Sequence, residues 1–302
     1  MEKYYYKIYG LKIKSEVKME ELTVIDKDIN ENIDVNITYG IIPKDIIGKI
    51  EKGYLCHMER KFLVFCIPNV AKYYVSYGKN IIIEVEKNAD EQKVKTFLLG
   101  TSFGMLLYQR DTVAIHGGAI VLNEKVMVIT GNQGAGKSTL TNAFRSNGCK
   151  FMADDVSVVT VKEEKILIES AYGQQKLCKD TMEKLNFNKN NFNLIDEGRE
   201  KFLISVKDNF QSKALDLGVI CLLEVSDTDK VFLEEIKGCK KLEIFLDNIY
   251  RMEIFGCIGL SKEYLKKCLN IVENIPMFKI IRPKDKFTIN EQINLIKELK
   301  YR

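Results

Sequence analysis

The 302-residue sequence has no apolar run approaching the roughly 18 residues that a membrane-spanning helix requires. Its opening stretch, MEKYYYKIYG, is charged and aromatic and lacks the apolar centre of a signal peptide. None of the eight cysteines (Cys56, Cys66, Cys149, Cys178, Cys221, Cys239, Cys257, Cys268) falls in a C-x-x-C pair, which speaks against a zinc site. Cys56–His57 is too isolated to form one. Blocks of like charge are missing too: the net charge of +4 is spread through Lys/Glu mixtures. That argues against a nucleic-acid partner while remaining compatible with phosphate handling. There is no internal repeat and no low-complexity linker. These absences predict a cytoplasmic protein with no membrane and no nucleic acid to bind. Most of the cysteines sit inside apolar runs such as FLVFCIP and GVICLLEV, so they read as buried free thiols in a reducing compartment.

The chain is long enough for one large domain or two modest ones. Residues 1–90 read as short strands: YYYKIYGLKIKSEV alternates, and NIDVNITYGIIP, KFLVFCIP and AKYYVSYGKNIIIEVE follow, with Gly78-Lys79-Asn80 as a hairpin turn. At Asp90, a candidate N-cap, the period changes. Val94, Leu98, Met105 and Leu106 then share one helical face. From Thr112 strands return, TVAIHGGAIVL and VMVIT, separated by a turn at Asn123-Glu124-Lys125. A glycine-rich loop and a helix ending at Asn147-Gly148 come next. CKFMADDVSVVTVKEEKILIES reads as a strand pair. Beyond Ala171 no period holds until DLGVICLLEV, a strand apolar enough to be buried on both faces. FNKNNFNLIDEGREKFLIS reads as surface loop except at its end, and EQINLIKELKYR as helix. The division expected is a strand-rich segment over 1–90 and a second domain over 91–302.

Gly131-Asn132-Gln133-Gly134-Ala135-Gly136-Lys137-Ser138 fits G-x-x-x-x-G-K-[ST] at every fixed position. Glycines let consecutive backbone N–H groups turn inward around a phosphate, Lys137 supplies a point charge to the β- and γ-phosphates, and the Ser138 hydroxyl suits Mg²⁺. Thr139 follows in the first turn of a helix whose positive end faces the same phosphates. The expected ligand is ATP with Mg²⁺. Asp154 and Asp155 follow the apolar FMA one helix, one turn and one strand beyond Lys137, a spacing that can return the chain beside the loop. Phosphoryl transfer needs a carboxylate on magnesium and a base for the acceptor hydroxyl, and adjacent acids can divide those tasks. Asp155 is taken as the metal ligand; which of the two is the base is left open. His116, one of two histidines, lies on the strand before the loop strand. Arg199, Lys201 and Arg251 are candidate contacts to phosphate or substrate.

The segment AIHGGAIVL…VMVITGNQGAGKSTLTNAF…GCKFMADDVSVV resembles the HPr serine kinase/phosphorylase family. Its marks are a histidine on a strand before the loop, the phosphate loop, and an ADD soon after a strand. The upstream layout looks like the HPr-kinase-like proteins of modified-peptide clusters, among them kinases of lasso-peptide precursors. The resemblance implies an α/β (α+β) fold with a phosphoenolpyruvate-carboxykinase-like core. It implies a kinase in which Lys137 and Ser138 hold nucleotide and metal, Asp154 or Asp155 is base toward a serine hydroxyl, and His116 lies near the transferred phosphate. The family's EIRG stretch is not present, and EGREKF (Glu197–Phe202) is the nearest match. The substrate implied is therefore a serine-containing peptide or protein other than HPr, and a homo-oligomer is compatible. Two other readings stay open: a non-catalytic nucleotide sensor, and a kinase of a small hydroxyl compound such as free serine. The strand-rich segment would serve as substrate docking, by strand addition at a sheet edge.

Overall fold

A computed structural model describes residues 2–26, 32–185, 193–196, 201–252 and 256–299. The chain is mixed α/β and forms two compact units, Met1–Val113 with Glu253–Tyr264, and Ala114–Met252 with Leu265–Arg302. The division at Val113 differs from the boundary expected at residue 90. The intervening helices pack on a strand of the first unit, and the helical stretch thus belongs with the sheet before it.

The first unit is an eight-stranded sheet: β1 (Tyr4–Ile8), β2 (Leu11–Ser15), β3 (Thr23–Val24), β4 (Val35–Tyr39), β5 (Cys56–Glu59), β6 (Phe62–Ile67), β7 (Ala71–Ser76) and β8 (Asn80–Val85). Its order is β3-β1-β2-β4-β8-β7-β6-β5, so β3 and β5 are the edges. A short helix, α1 (Lys44–Ile47), follows β4. Alternation builds the core: in β8, Ile81 and Ile83 are fully buried and Ile82 is half-buried. The β7–β8 hairpin turns through Gly78 in the left-handed region, as expected. Asp90 is the N-cap of α2 (Glu91–Phe97); its Oδ1 accepts from the Gln92 and Lys93 N–H groups at 2.7 and 3.1 Å. The single helix expected here is interrupted by a wide turn at Leu98–Ser102 before α3 (Phe103–Gln109), although Val94, Leu98, Met105 and Leu106 are all buried.

The second unit is laid on another eight-stranded sheet. Two long strands, β9 (Val113–Leu122) and β10 (Lys125–Gly131), form a hairpin through Asn123 and Glu124, both at positive φ, the geometry of a tight two-residue turn. After β10 come α4 (Lys137–Ser146), β11 (Phe151–Ala153), β12 (Val156–Lys162) and β13 (Lys165–Glu169). The strand pair expected here is β12–β13, and β11 pairs with β9 instead. The region past Ala171, read as irregular, is a small sheet: β14 (Gln174–Cys178), helix α5 (Lys179–Lys184), β15 (Asn193–Asp196) and β16 (Lys201–Ser205), with β16 in the middle. The surface-loop reading gives way to a strand at 193–196, the excepted end at 201–205 is a strand, and 186–192 and 197–200 lie outside the described residues.

The apolar strand β17 (Leu215–Ser226) is central, as its composition predicts. Its start pairs with β13, and the rest runs parallel to β10 on one side and to β19 (Met277–Pro283) on the other. The pairings β10-β9-β12-β13-β17-β10 thus close on themselves. An edge strand, β18 (Phe232–Glu235), the helices α6 (Cys239–Asp247) and α8 (Ile289–Lys297), and α7 (Lys262–Asn274) from Leu265 onward complete the unit. Leu140, Ala143 and Phe144 of α4, one helical stripe, join Ile129, Cys221, Leu223, Ile280, Ile293 and Ile296 in one core. Asn147 and Gly148 (φ 91°) end α4 as expected.

All eight cysteines are free, but only Cys221 and Cys268 are buried, so the expectation of buried thiols holds for two of them. Cys56, Cys178, Cys239 and Cys257 are exposed because they stand at edges and turns beside the apolar runs rather than inside them. Among the described residues no helix is long and apolar enough to cross a membrane.

Candidate active site

The loop between β10 and α4 takes its shape from three glycines at positive φ: Gly131 (139°), Gly134 (80°) and Gly136 (105°). Gly131 is required for a second reason. A Cβ there would collide with the Leu223 carbonyl oxygen of β17. The loop is therefore pressed against the central strand, while Asn132, Gln133 and Gly134 are exposed. Lys137 Nζ donates across the loop to the carbonyls of Gly131 at 2.7 Å and Asn132 at 3.2 Å. The helix behind is pinned by β14 and α5. Gln175 Nε2 donates to the Ser138 carbonyl, Gln175 Oε1 accepts from Asn142, and the Thr139 and Thr181 hydroxyls are 2.8 Å apart. From β19, Arg282 Nε donates to the Ala135 carbonyl at 2.8 Å.

Asp154 and Asp155 sit at the junction of β11 and β12, one strand away from the β9–β10 hairpin. The Gly117 N–H of β9 donates to the Asp155 carbonyl at 3.1 Å, which ties the junction to the histidine strand. Lys176 of β14 holds both acids. Its backbone N–H donates to Asp154 Oδ2 at 2.9 Å, and its Nζ lies 3.4 Å from Asp155 Oδ2. Asp154 Oδ1 is buried and has no hydrogen-bond partner. Burial, and then the neighbouring Asp155, push Asp154 up to about 7. Burial acts on Asp155 as well, but Lys176, Lys201 and His116 outweigh it and hold that carboxyl below its ordinary range. Asp155 keeps a third of its side chain exposed. Burial opposes the charge of Lys176, yet Asp155 and Asp154 hold its proton above the usual range. Lys137 is lowered by burial, with Asp155 opposing and Lys201 reinforcing that shift. Loop lysine, acid pair, Lys176, Lys201 and His116 therefore belong to one electrostatic cluster.

His116 is anchored through its backbone. Its N–H donates to the Asn248 carbonyl, and its carbonyl accepts from the Thr130 hydroxyl, which also bonds Asn248 Oδ1. Its ring meets Tyr250 edge-on at 5.9 Å. The Tyr250 phenol is raised by burial and interacts with Arg251, Asp155 and Lys176. Arg251 lies over the Tyr250 ring at 5.4 Å with its backbone at φ 62°. Of the three basic candidates, Lys201 joins the acids, Arg251 reaches Tyr250, and Arg199 lies outside the described residues. Lys176, Tyr250, Gln175 and Arg282 carry no local motif. Lys176 stands in QQKLC, where inward-facing Gln175 (fully buried) breaks the apolar alternation that would have marked the strand.

The loop fits a nucleoside triphosphate: a side chain at Gly131 would destroy the turn, and N–H groups beside Lys137 offer an anion cradle. The acids fit Mg²⁺. Among the described residues no three His, Cys, Asp or Glu side chains gather into a metal group. Two carboxylates and the Ser138 hydroxyl nevertheless suit an ion that is commonly held by one or two carboxylates plus substrate phosphates.

No family model matches the chain and no curated protein matches it. Among solved structures it is similar to the Hpr(Ser) kinase/phosphatase from Coxiella burnetii, at 14% identity over 61% of this chain and 88% of that one, with a TM-score of 0.34.

Proposed function

We propose that the chain is an ATP-dependent kinase that transfers the γ-phosphoryl group to a serine hydroxyl of a peptide or protein. The observation that carries this is the junction of two features in one unit: a phosphate loop at the end of β10, and an acid pair bound by Lys176 that interacts with the loop's own Lys137. A plain nucleotide-binding module needs the loop but not a buried carboxyl held near neutrality beside it.

The roles follow from environment. Amides of residues 131–138 and Lys137 hold the phosphates. Ser138 and Asp155 would hold magnesium, which would supply neutralising charge to the β- and γ-phosphates. Asp154, poised near neutral pH, accepts the acceptor proton. As the serine oxygen bonds to the γ-phosphorus, the bond to the β–γ bridging oxygen breaks. The serine proton goes to the carboxylate, and ADP leaves. Lys137, Lys176 and Lys201 provide positive charge near the transferring group, the main form of help that phosphoryl transfer takes from a protein. His116 and Tyr250 border the acids and would orient the acceptor.

A polypeptide acceptor is favoured by the first unit. Its sheet has short edge strands at β3 and β5, and a groove of about 700 Å³ opens among Glu16, Tyr39, Ile41, Glu84, Val85 and Lys95. Sheet edges and open grooves of this kind receive extended peptides. Eight free thiols suit a kinase of a reducing compartment.

The test is transfer from γ-labelled ATP with magnesium to serine-bearing peptides, alongside Asp154→Asn and Asp155→Asn. We expect transfer by the wild type and loss in both variants. Transfer surviving in both would remove the acids from the chemistry. Nucleotide binding without transfer to any hydroxyl acceptor would leave a sensor.

A further inference from the structure

The phosphate loop is braced from outside by a side chain 147 positions away. Arg282 near the end of β19 donates from Nε to the Ala135 carbonyl at 2.8 Å and from Nη1 to the Pro283 carbonyl at 3.0 Å. The second bond anchors the guanidinium to its own strand, and the first carries that anchorage to the loop. A Cβ built on Gly136 would lie 3.6 Å from Arg282 Nε and 3.7 Å from Nη2, so the guanidinium runs alongside the Ala135–Gly136 peptide.

Peptide planarity gives this contact a consequence. The Ala135 carbonyl and the Gly136 N–H belong to one trans planar unit and point in opposite directions. Holding the carbonyl toward Arg282 turns the Gly136 N–H the other way. A loop of glycines does not choose that orientation by itself, because glycine visits both signs of φ with little preference. An anion nest binds only when its consecutive N–H groups converge.

We propose that Arg282 is a positioning residue for triphosphate binding, locking the Ala135–Gly136 peptide so that the Gly136 N–H faces the phosphates. This rests on the nucleotide reading above and deepens it by assigning the loop's preorganisation to a side chain outside the glycine-rich segment. It is a hydrogen-bond role, not one of net charge.

The test uses the full chain with Arg282→Met and Arg282→Lys. Calorimetry measures affinity for ATP and for inorganic tripolyphosphate. NMR measures amide exchange of Gly136 in nucleotide-free protein, with Gly148 at the far end of α4 as internal control. Losing a bond from a charged donor predicts about tenfold weaker binding of both ligands in both variants. Gly136 should exchange faster and Gly148 should not change. Full affinity in Arg282→Lys would overturn the proposal in favour of charge alone, and faster exchange at both glycines would overturn it in favour of general loosening. Unchanged Gly136 exchange in Arg282→Met would overturn the bracing by itself. Wild-type protein that binds neither ligand would instead bring down the nucleotide reading, which separates the two failures.

Discussion

Each unit is built on an eight-stranded mixed sheet, yet they spend strained backbone and charge differently. In both units ordinary residues bear positive φ at hairpin turns: Tyr9 (53°), Asn69 (61°) and Tyr77 (55°) in the first, Asn123 (51°) and Glu124 (65°) in the second. Each costs on the order of 1–2 kcal/mol, which a turn between two well-paired strands can absorb. In the second unit, the end of β10 gathers Gly131, Gly134 and Gly136 within six residues, and one of them is also sterically compelled. Charges diverge in the same way. Lys72 pairs with Glu84 at 2.6 Å on a partly exposed sheet face, one opposite charge for another. Around Asp154 and Asp155 the chain instead places two like charges side by side and surrounds them with Lys176, Lys201 and His116. Balanced pairs serve folding; a carboxyl raised to about 7 beside a lowered neighbour is the kind of perturbed pair that functional sites concentrate.

The sharpest way to break this contrast is to neutralise one charge in each unit. Asp154→Asn should lower kcat by 10²–10⁴-fold, the usual worth of a general base, with the fold retained by circular dichroism. Lys72→Met should leave kcat intact and cost less than about 1 kcal/mol in thermal unfolding, since partly exposed pairs contribute little. Equal losses of activity in the two variants would erase the distinction.

Next in size is the loop. Gly131→Ala meets both the Leu223 carbonyl and an unfavourable φ, whereas a Cβ at Gly134 meets nothing within 4 Å and suffers from φ alone. Gly134→Ala should cost about 1–2 kcal/mol. Gly131→Ala should cost several kcal/mol more and weaken nucleotide binding sharply. Calorimetric unfolding of the pair reads the difference.

The acid pair predicts a pH dependence with a definite sign. Asp154 ionises in the unfolded chain near its ordinary value of about 4 and in the folded chain at about 7. The folded state therefore holds the extra proton between those values, and stability contributed by this group falls as pH rises through that window. Asp155, lowered, contributes oppositely: its stabilisation is present above the unfolded value and fades as pH falls. The kcat/KM of the free enzyme should rise with pH to a plateau above about 7. In Lys176→Met, which removes the ammonium acting on both acids, the rising limb should move to higher pH. An unmoved limb would detach Lys176 from the acids.

A small effect, on stability alone, belongs to the first unit again. Asp90→Ala removes the cap of α2 and should cost about 1 kcal/mol without touching transfer.

The same contrast explains what could be read from the sequence. The strands of the first unit announce themselves by alternation, and β7 and β8 with their Gly78 turn are local in origin. The phosphate loop is legible because its working groups are backbone amides within eight consecutive residues, and the acids because they are adjacent. Lys176 is not, since its strand presents a buried glutamine where apolar alternation requires a hydrophobic residue. Gln175 is satisfied by Asn142 and the Ser138 carbonyl, partners that exist only after folding. Arg282 is hidden for a related reason: its partner is a carbonyl, which any residue supplies, brought near by the parallel pairing of β17 and β19. The exposure of Cys56, Cys178, Cys239 and Cys257 is not legible, because an apolar neighbourhood in sequence does not fix which end of an element is covered.

One measurement bears most directly on the central claim that loop and acids form a single magnesium-dependent site. ATP affinity is titrated with and without magnesium in the wild type and in Asp155→Asn. The two-part site predicts that magnesium tightens ATP in the wild type and has little effect in the variant. An equal magnesium effect in both proteins would contradict it.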